Sequence, residues 1–183
     1  MLRDLDLKYA TDNIYFATAS YEKLIHKTVS SKTGESFEYL AGRTQANVLA
    51  VKSLWMDLDV GKPGAYETQK EAAREIGRYA KAVGLPLPII VNSGYGIHCY
   101  WVFTDEISAA AWEDIARYQR AAWRHLGIKV DPACDADCAR ILRAPGTRNK
   151  RPGKEPKTVK VVFGEINALP AQTPWPGARL IAE

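Results

Sequence analysis

Leu54-Trp-Met-Asp-Leu-Asp-Val60 places two carboxylates two residues apart in a run that is otherwise apolar. Read as a β-strand, the run sends Asp57 and Asp59 to one face and Leu54, Met56, Leu58 and Val60 to the other. The second face is uninterrupted and can pack on a core. Adjacent carboxylates repel and raise each other's pKa, a cost that a divalent cation between them relieves. Oxygen ligands suit Mg2+ or Mn2+. The alternative is an edge strand with a solvated acidic face, and Asp-x-Asp alone does not separate the two.

Upstream of this strand, residues 1–12 show no periodicity, residues 13–19 read as a strand, and the polar stretch 30–38 reads as a loop or the turn of a ribbon. A short helix is expected over 44–51. Downstream, Gly61 and Gly64 break the chain, and apolar positions at helical spacing predict a helix over 66–83, ended by Gly84 and Pro86. Residues 88–92 and 97–103 are strands joined by the turn Ser93-Gly-Tyr-Gly96, a hairpin. A second helix runs from the N-cap Ser108 to Leu126. A short strand over 127–131 ends on Asp131. Asp137 is read as the N-cap of a short helix through Arg143, residues 159–163 as a last strand, and the proline-rich 170–176 as a domain edge. Helices alternating with hairpin-linked strands make this an α+β chain with a mixed or antiparallel sheet.

The 183 residues are 46% hydrophobic with five tryptophans, enough for a sizeable core in one domain or two packed subdomains. Cys99, Cys134 and Cys138 are odd in number and irregularly spaced, which argues against a disulfide framework. With no signal peptide and no apolar run near ~20 residues, a soluble cytoplasmic protein with no membrane contact is expected. The net charge is only +4, but from Arg140 to Lys160 eight basic residues face a single acid, Glu155. That excess suits a phosphate-rich ligand or is a solvated basic surface.

Two further constellations accompany the acidic strand. In Ser93-Gly-Tyr-Gly-Ile-His98 the glycines let the backbone approach a ligand and expose N–H groups to an anion. His98 shares a strand face with Tyr100 and can donate to a phosphate oxygen; the plainer reading is a glycine hairpin with a half-exposed histidine. The third runs from Asp131 through Asp137, Arg140 and Arg143 to Arg148-Asn-Lys-Arg151. Arg140 and Arg143 would share a helix face, and a strand-end carboxylate can add a metal ligand. Otherwise Asp137 merely caps the helix and pairs with the arginines.

In this order, Asp-x-Asp, Ser-Gly-x-Gly-x-His, and an acid followed by Arg-x-x-Arg-x-Pro-Gly-Thr-x-Asn resemble the three motifs of the archaeo-eukaryotic primase superfamily. The match is nearest to the primase-polymerase (prim-pol) branch of phages and plasmids, and spans about residues 54–151. The resemblance implies a catalytic core in which a small α/β module packs on a mixed sheet like that of an RNA-recognition domain, with the active site in the groove between them. It implies a single catalytic domain over 1–183, standing alone or as the N-terminal core of a longer replication protein. By position, Asp57 and Asp59 would ligate two Mg2+ or Mn2+ ions with Asp131 as third ligand and Asp137 as its rival. Ser93, Gly94, Gly96 and His98 would hold the triphosphate, His98 as a catalytic residue, and Arg143, Asn149 and a following base would complete that pocket. The family carries Lys two places after the Asn; here Arg151 holds that place with Lys150 beside it, which leaves open which of them contacts phosphate.

The implied activity is template-dependent nucleotidyl transfer on single-stranded DNA from dNTP or NTP, making or extending primers, with a downstream helicase or helical domain as a further partner. Lys150, Arg151 and Lys154 are candidates for tracking a template backbone, and Trp55 or Tyr95 for stacking a base. The rival in another class is a non-catalytic single-strand-binding or replication-initiator module, which needs the basic patch but not the carboxylates. A nucleotidyltransferase with a Gly-Ser turn before Asp-x-Asp is disfavoured because only Ser53 stands near. A rolling-circle nickase is disfavoured by the scattered His26, His98 and His125. A zinc site from Cys134 and Cys138 with Cys99 or His98 has irregular spacing.

Overall fold

The structure is a computed structural model and describes Lys8 and residues 11–23, 25–29, 33–40, 42–134 and 137–171. In chain order its elements are β1 (Tyr15–Ala17), β2 (Ala19–Tyr21), β3 (Ile25–Val29), β4 (Ser36–Leu40), β5 (Val48–Asp59), α1 (Gln69–Val83), β6 (Ile89–Asn92), β7 (Gly96–Ile107), α2 (Ala109–His125), β8 (Ile141–Arg143), β9 (Arg148–Asn149), β10 (Lys157–Thr158) and β11 (Lys160–Phe163). This is the α+β class expected. The main sheet has the order β11-β6-β7-β5-β2, and every neighbouring pair in it is antiparallel. β5 and β6 are therefore parallel to each other with β7 between them, a split β–α–β unit closed by α1. β3 and β4 form a separate ribbon, β1 pairs with β8, and β9 with β10.

The alternation read in the 54–60 stretch organises the core. Leu54, Met56 and Leu58 are directly opposite Trp101, Cys99 and Ile97 of β7, and all six are buried. Tyr79 of α1 meets Trp101 edge-on at 6.0 Å. Trp55, on the carboxylate face, stacks on Trp112 of α2 with ring centroids 4.8 Å apart. Its burial removes it as a platform for a base.

β2 pairs with β5 only as far as Val51. Beyond that point the outward carbonyls of β5 would be unpaired in the interior, a costly state. Each finds a donor: Ser53 O accepts from Trp112 Nε1 (3.0 Å), Trp55 O from Gln119 Nε2 (3.5 Å), and Asp57 O from the Asp131 backbone N–H (2.8 Å). The same edge that needs capping thus brings Asp131 to Asp57. Because Gln119 is buried and Leu is nearly its size, Gln119→Leu leaves Trp55 O without a partner and should lower stability by about 1–2 kcal/mol. Urea denaturation measures this.

Helix α1 begins at Gln69, not at 66. Thr68 accepts from the Glu71 N–H as N-cap, while Tyr66 is held in a bridge to Val60 at the end of β5. Gly84, in the left-handed region at φ 74°, ends it. Ser108 caps α2 as expected. Three local expectations are corrected by long-range pairing. The helix expected over 44–51 shrinks to a 3-10 turn at Gln45–Asn47, because Val48 onward is drawn into β5. Residues 127–131 form no strand, and the Asp131 N–H bonds to Asp57 O of β5. Residues 137–143 form no helix: Asp137 caps a turn, and Ile141–Arg143 pairs with β1. The 13–19 strand is split by Thr18, whose hydroxyl and N–H both donate to Arg140 O. Of the proline-rich tail, residues 172 onward lie outside the described residues, as does most of the lead-in before residue 11. Among the described residues no helix is long and apolar enough to cross a membrane.

Candidate active site

Asp57 and Asp59 lie near the end of β5, opposite His98 and Gly96 of β7. Asp131 joins them through its backbone bond to Asp57 O, and a turn follows in which Asp131 Oδ1 accepts from Ala133 N–H (3.0 Å). That turn carries Cys134 inward, where its thiol donates to Asp57 Oδ2 (3.4 Å) and lies 3.8 Å from Asp131 Oδ2. One ligand atom each from Asp57, Asp131 and Cys134 falls within 4.8 Å of the others. Asp137 is elsewhere, with its Oδ1 accepting from Ala139 N–H and Gln45 Nε2. Asp59 is ion-paired with Lys62, three residues on.

These carboxylates line a cleft of about 450 Å³, within the range of small-molecule sites. The cleft is also lined by His98, Lys62, Arg43, Arg140, Arg143 and Arg151. The Nε groups of Arg140 and Arg143 are buried and have no hydrogen-bond partner among the described residues. Such donors are costly to leave unmade, and both arginines bring a positive charge to the cleft lining. His98 is buried, with Nδ1 3.1 Å from the Tyr100 hydroxyl and Nε2 3.9 Å from Asp57 Oδ1. Burial, reinforced by Arg143 and Arg140, lowers its pKa to about 3, so the ring is neutral at physiological pH. A neutral ring whose Nδ1 accepts from Tyr100 presents Nε2–H as a donor.

The 93–96 turn is held by hydrogen bonds within the protein. Gly94 N–H donates to Asn92 Oδ1 (2.7 Å), and the Ser93 N–H donates to Gly96 O (3.0 Å). Gly94 has φ 96°, and a Cβ there would stand 2.8 Å from Asn149 Cβ; a Cβ on Gly96 would stand 2.5 Å from Leu58 O. At both positions the space that a Cβ would take is filled by protein. Ser93 and Asn149 are buried outside the cleft lining, joined by Asn149 Nδ2 donating to Ser93 O (2.6 Å). The two basic candidates also separate. Lys150 Nζ donates to Asp12 O (2.9 Å), whereas Arg151 lines the cleft and lies over the Tyr95 ring at 4.5 Å. Lys154 and Lys157 approach the same ring at 5.3 and 4.3 Å, so Tyr95 is surrounded by cations.

Sequence reasoning missed Arg43, Tyr15 and Lys62, and it weighed Cys134 only with Cys138, Cys99 or His98, not with Asp57 and Asp131. Tyr15 and Arg43 come from a region with no matched motif; Tyr15 is exposed at the cleft with Arg143 5.2 Å over its ring. Lys62 was legible only as the i+3 partner of Asp59.

The donor set fits a divalent cation. Burial, then Asp59 and Asp131, push the Asp57 pKa up from 3.8 to about 6, although the Cys134 hydrogen bond and Arg140 oppose the rise. A cation here would relieve that repulsion, and it competes with the proton for Asp57. The sign follows: below about pH 6 the proton wins, so Mn2+ should bind about tenfold more weakly at pH 5 than at pH 7.5. Thermal shift at fixed Mn2+ should accordingly grow with pH through this window.

No protein-family model and no curated protein matches the sequence. Among solved structures, the AEP domain of the cyanophage S-2L primase-polymerase is similar, with a TM-score of 0.47 and 17% identity over 88% of this chain and 90% of that one. Primase RepB′ has a TM-score of 0.44 and 14% identity, over 98% of this chain and 59% of that one. These solved structures to which the chain is similar are, by name, a phage primase-polymerase domain and a primase.

Proposed function

We propose that this chain is a single prim-pol catalytic core that transfers nucleotides onto a 3′-hydroxyl, templated by single-stranded DNA. The observation that carries the reading is one cleft lined by three carboxylates together with Arg140, Arg143 and Arg151. Acids alone suit a cation and arginines alone suit an anion; the combination suits a metal-bound triphosphate. Asp57, Asp59 and Asp131 would hold divalent ions, which would supply charge neutralisation at the α-phosphate. Arg140, Arg143 and the Nε2–H of neutral His98 hold phosphate oxygens and stabilise the negative charge that builds during transfer. The 3′-oxygen forms a bond to the α-phosphorus, the α–β bridging bond breaks, pyrophosphate leaves, and the hydroxyl proton passes to solvent. Arg151 and the neighbouring Lys154 and Lys157 extend the basic lining outward, toward a template backbone. Tyr15 replaces Trp55 as the aromatic available to a base.

The test is incorporation of labelled nucleotides on single-stranded DNA with Mg2+ or Mn2+, with and without a primer, beside Asp57→Asn/Asp59→Asn. Metal-dependent product from the unaltered protein alone supports the reading, and the unprimed lane separates priming from extension. DNA binding of equal strength in both proteins, with no product from either, favours the non-catalytic binding module.

A further inference from the structure

We propose that Cys134 is a sulfur ligand of the Asp57–Asp131 cation site, which makes it a mixed sulfur–oxygen site that takes thiophilic dications. The inference rests on the metal-dependent reading above and adds a residue that the resemblance does not supply. Its basis is distance. A cation with bonds of about 2.3 Å to sulfur and about 2.1 Å to oxygen in tetrahedral geometry holds those atoms about 3.6 Å apart. The sulfur of Cys134 lies 3.4 Å from Asp57 Oδ2 and 3.8 Å from Asp131 Oδ2, on either side of that value. All three ligand atoms fit within 4.8 Å.

The surroundings hold the thiol in this position. Cys134 N–H donates to Asp131 O (3.0 Å), and Cys134 O accepts from the indole of the buried Trp55 (3.0 Å). Both bonds fix the backbone so that the buried thiol faces the Asp57 and Asp131 carboxylates. Without a cation the thiol keeps its proton and donates it to Asp57. A coordinated thiol is deprotonated outright, and that proton goes to solvent. Soft sulfur favours Co2+, Zn2+ or Cd2+ over Mg2+, which demands oxygen.

Cys134→Ser separates ligation from hydrogen bonding, because the hydroxyl still donates to Asp57 but is a poor soft ligand. Binding of Co2+, Cd2+ and Mg2+ is measured by calorimetry, and the Co2+ form by near-ultraviolet absorption. Expected are a thiolate-to-Co2+ charge-transfer band lost in Cys134→Ser, a Cd2+ affinity about tenfold or more lower, and a Mg2+ affinity within about twofold of the unaltered protein. Cys99 and Cys138 remain in the variant, so a band that persists belongs to them and overturns the proposal. Equal Cd2+ affinities overturn it as well and leave Cys134 a hydrogen-bond donor, with the metal-dependent reading intact. If the unaltered protein binds none of the three ions, both fall.

Discussion

Replacing Asp57 and Asp59 together by asparagine is expected to abolish metal-dependent incorporation while making the metal-free protein more stable at neutral pH. The first effect is large because the carboxylates hold the charge that offsets the triphosphate: losing several kcal/mol of transition-state stabilisation is a loss on the order of 10³-fold or more. The second follows from the sign of the Asp57 shift. A carboxyl whose folded pKa is raised favours the folded state most when protonated, and that contribution disappears as pH climbs through about 6. At pH 7 the ionised, metal-free Asp57 therefore costs up to about 3 kcal/mol. Asparagine keeps the size and can still accept from the Cys134 thiol, but carries no charge. The melting temperature of the unaltered apo-protein should fall between pH 4 and 7, while that of the double variant should not follow it in this window. Loss of activity in a protein that melts higher cannot be assigned to unfolding. Retained incorporation would remove these carboxylates from the chemistry and move the binding-module reading ahead.

The carboxylate pair was legible because period-two alternation is local: Asp57 and Asp59 share a face whatever the rest of the chain does. The hairpin at 93–96 and the two long helices were legible for the same reason, through glycines, N-caps and apolar spacing. What failed was decided at long range. Ile141–Arg143 has a plausible helical pattern behind an Asp cap, but the exposed edge of β1 takes it as a strand. Residues 127–131 look like a strand, yet the edge of β5 needs a donor at Asp57 O and uses the Asp131 N–H as a cap instead. Arg140 and Arg143 still line one cleft, though from a turn and a strand and not from one helix face. Cys134 was invisible as a partner of Asp57, because the turn after Asp131 sets its direction and no spacing rule encodes that turn. Motif order placed Ser93 and Asn149 beside the triphosphate; the structure buries both outside the cleft lining, joined by their mutual bond.

The turn itself yields the second large effect. Gly96→Ala should lower stability by about 3 kcal/mol, the upper end of overpacking costs. The new Cβ would meet Leu58 O at 2.5 Å and Asp59 Cα at 3.4 Å, both backbone atoms of β5. β5 cannot easily retreat, because its other edge is held by Trp112, Gln119 and Asp131. Any relief has to come from displacing Asp59, so incorporation should fall as well, most steeply at low metal concentration. Gly94→Ala is strained differently, by a left-handed φ and by Asn149 Cβ at 2.8 Å. Were these glycines present to let a triphosphate approach, both variants would melt like the unaltered protein without nucleotide and differ only in its presence. A fall in the melting temperature of the ligand-free protein identifies the constraint as strand against strand. The glycines would then serve the site indirectly, by letting β7 pack close enough to β5 to set Asp59 opposite position 96 and Asp57 opposite His98.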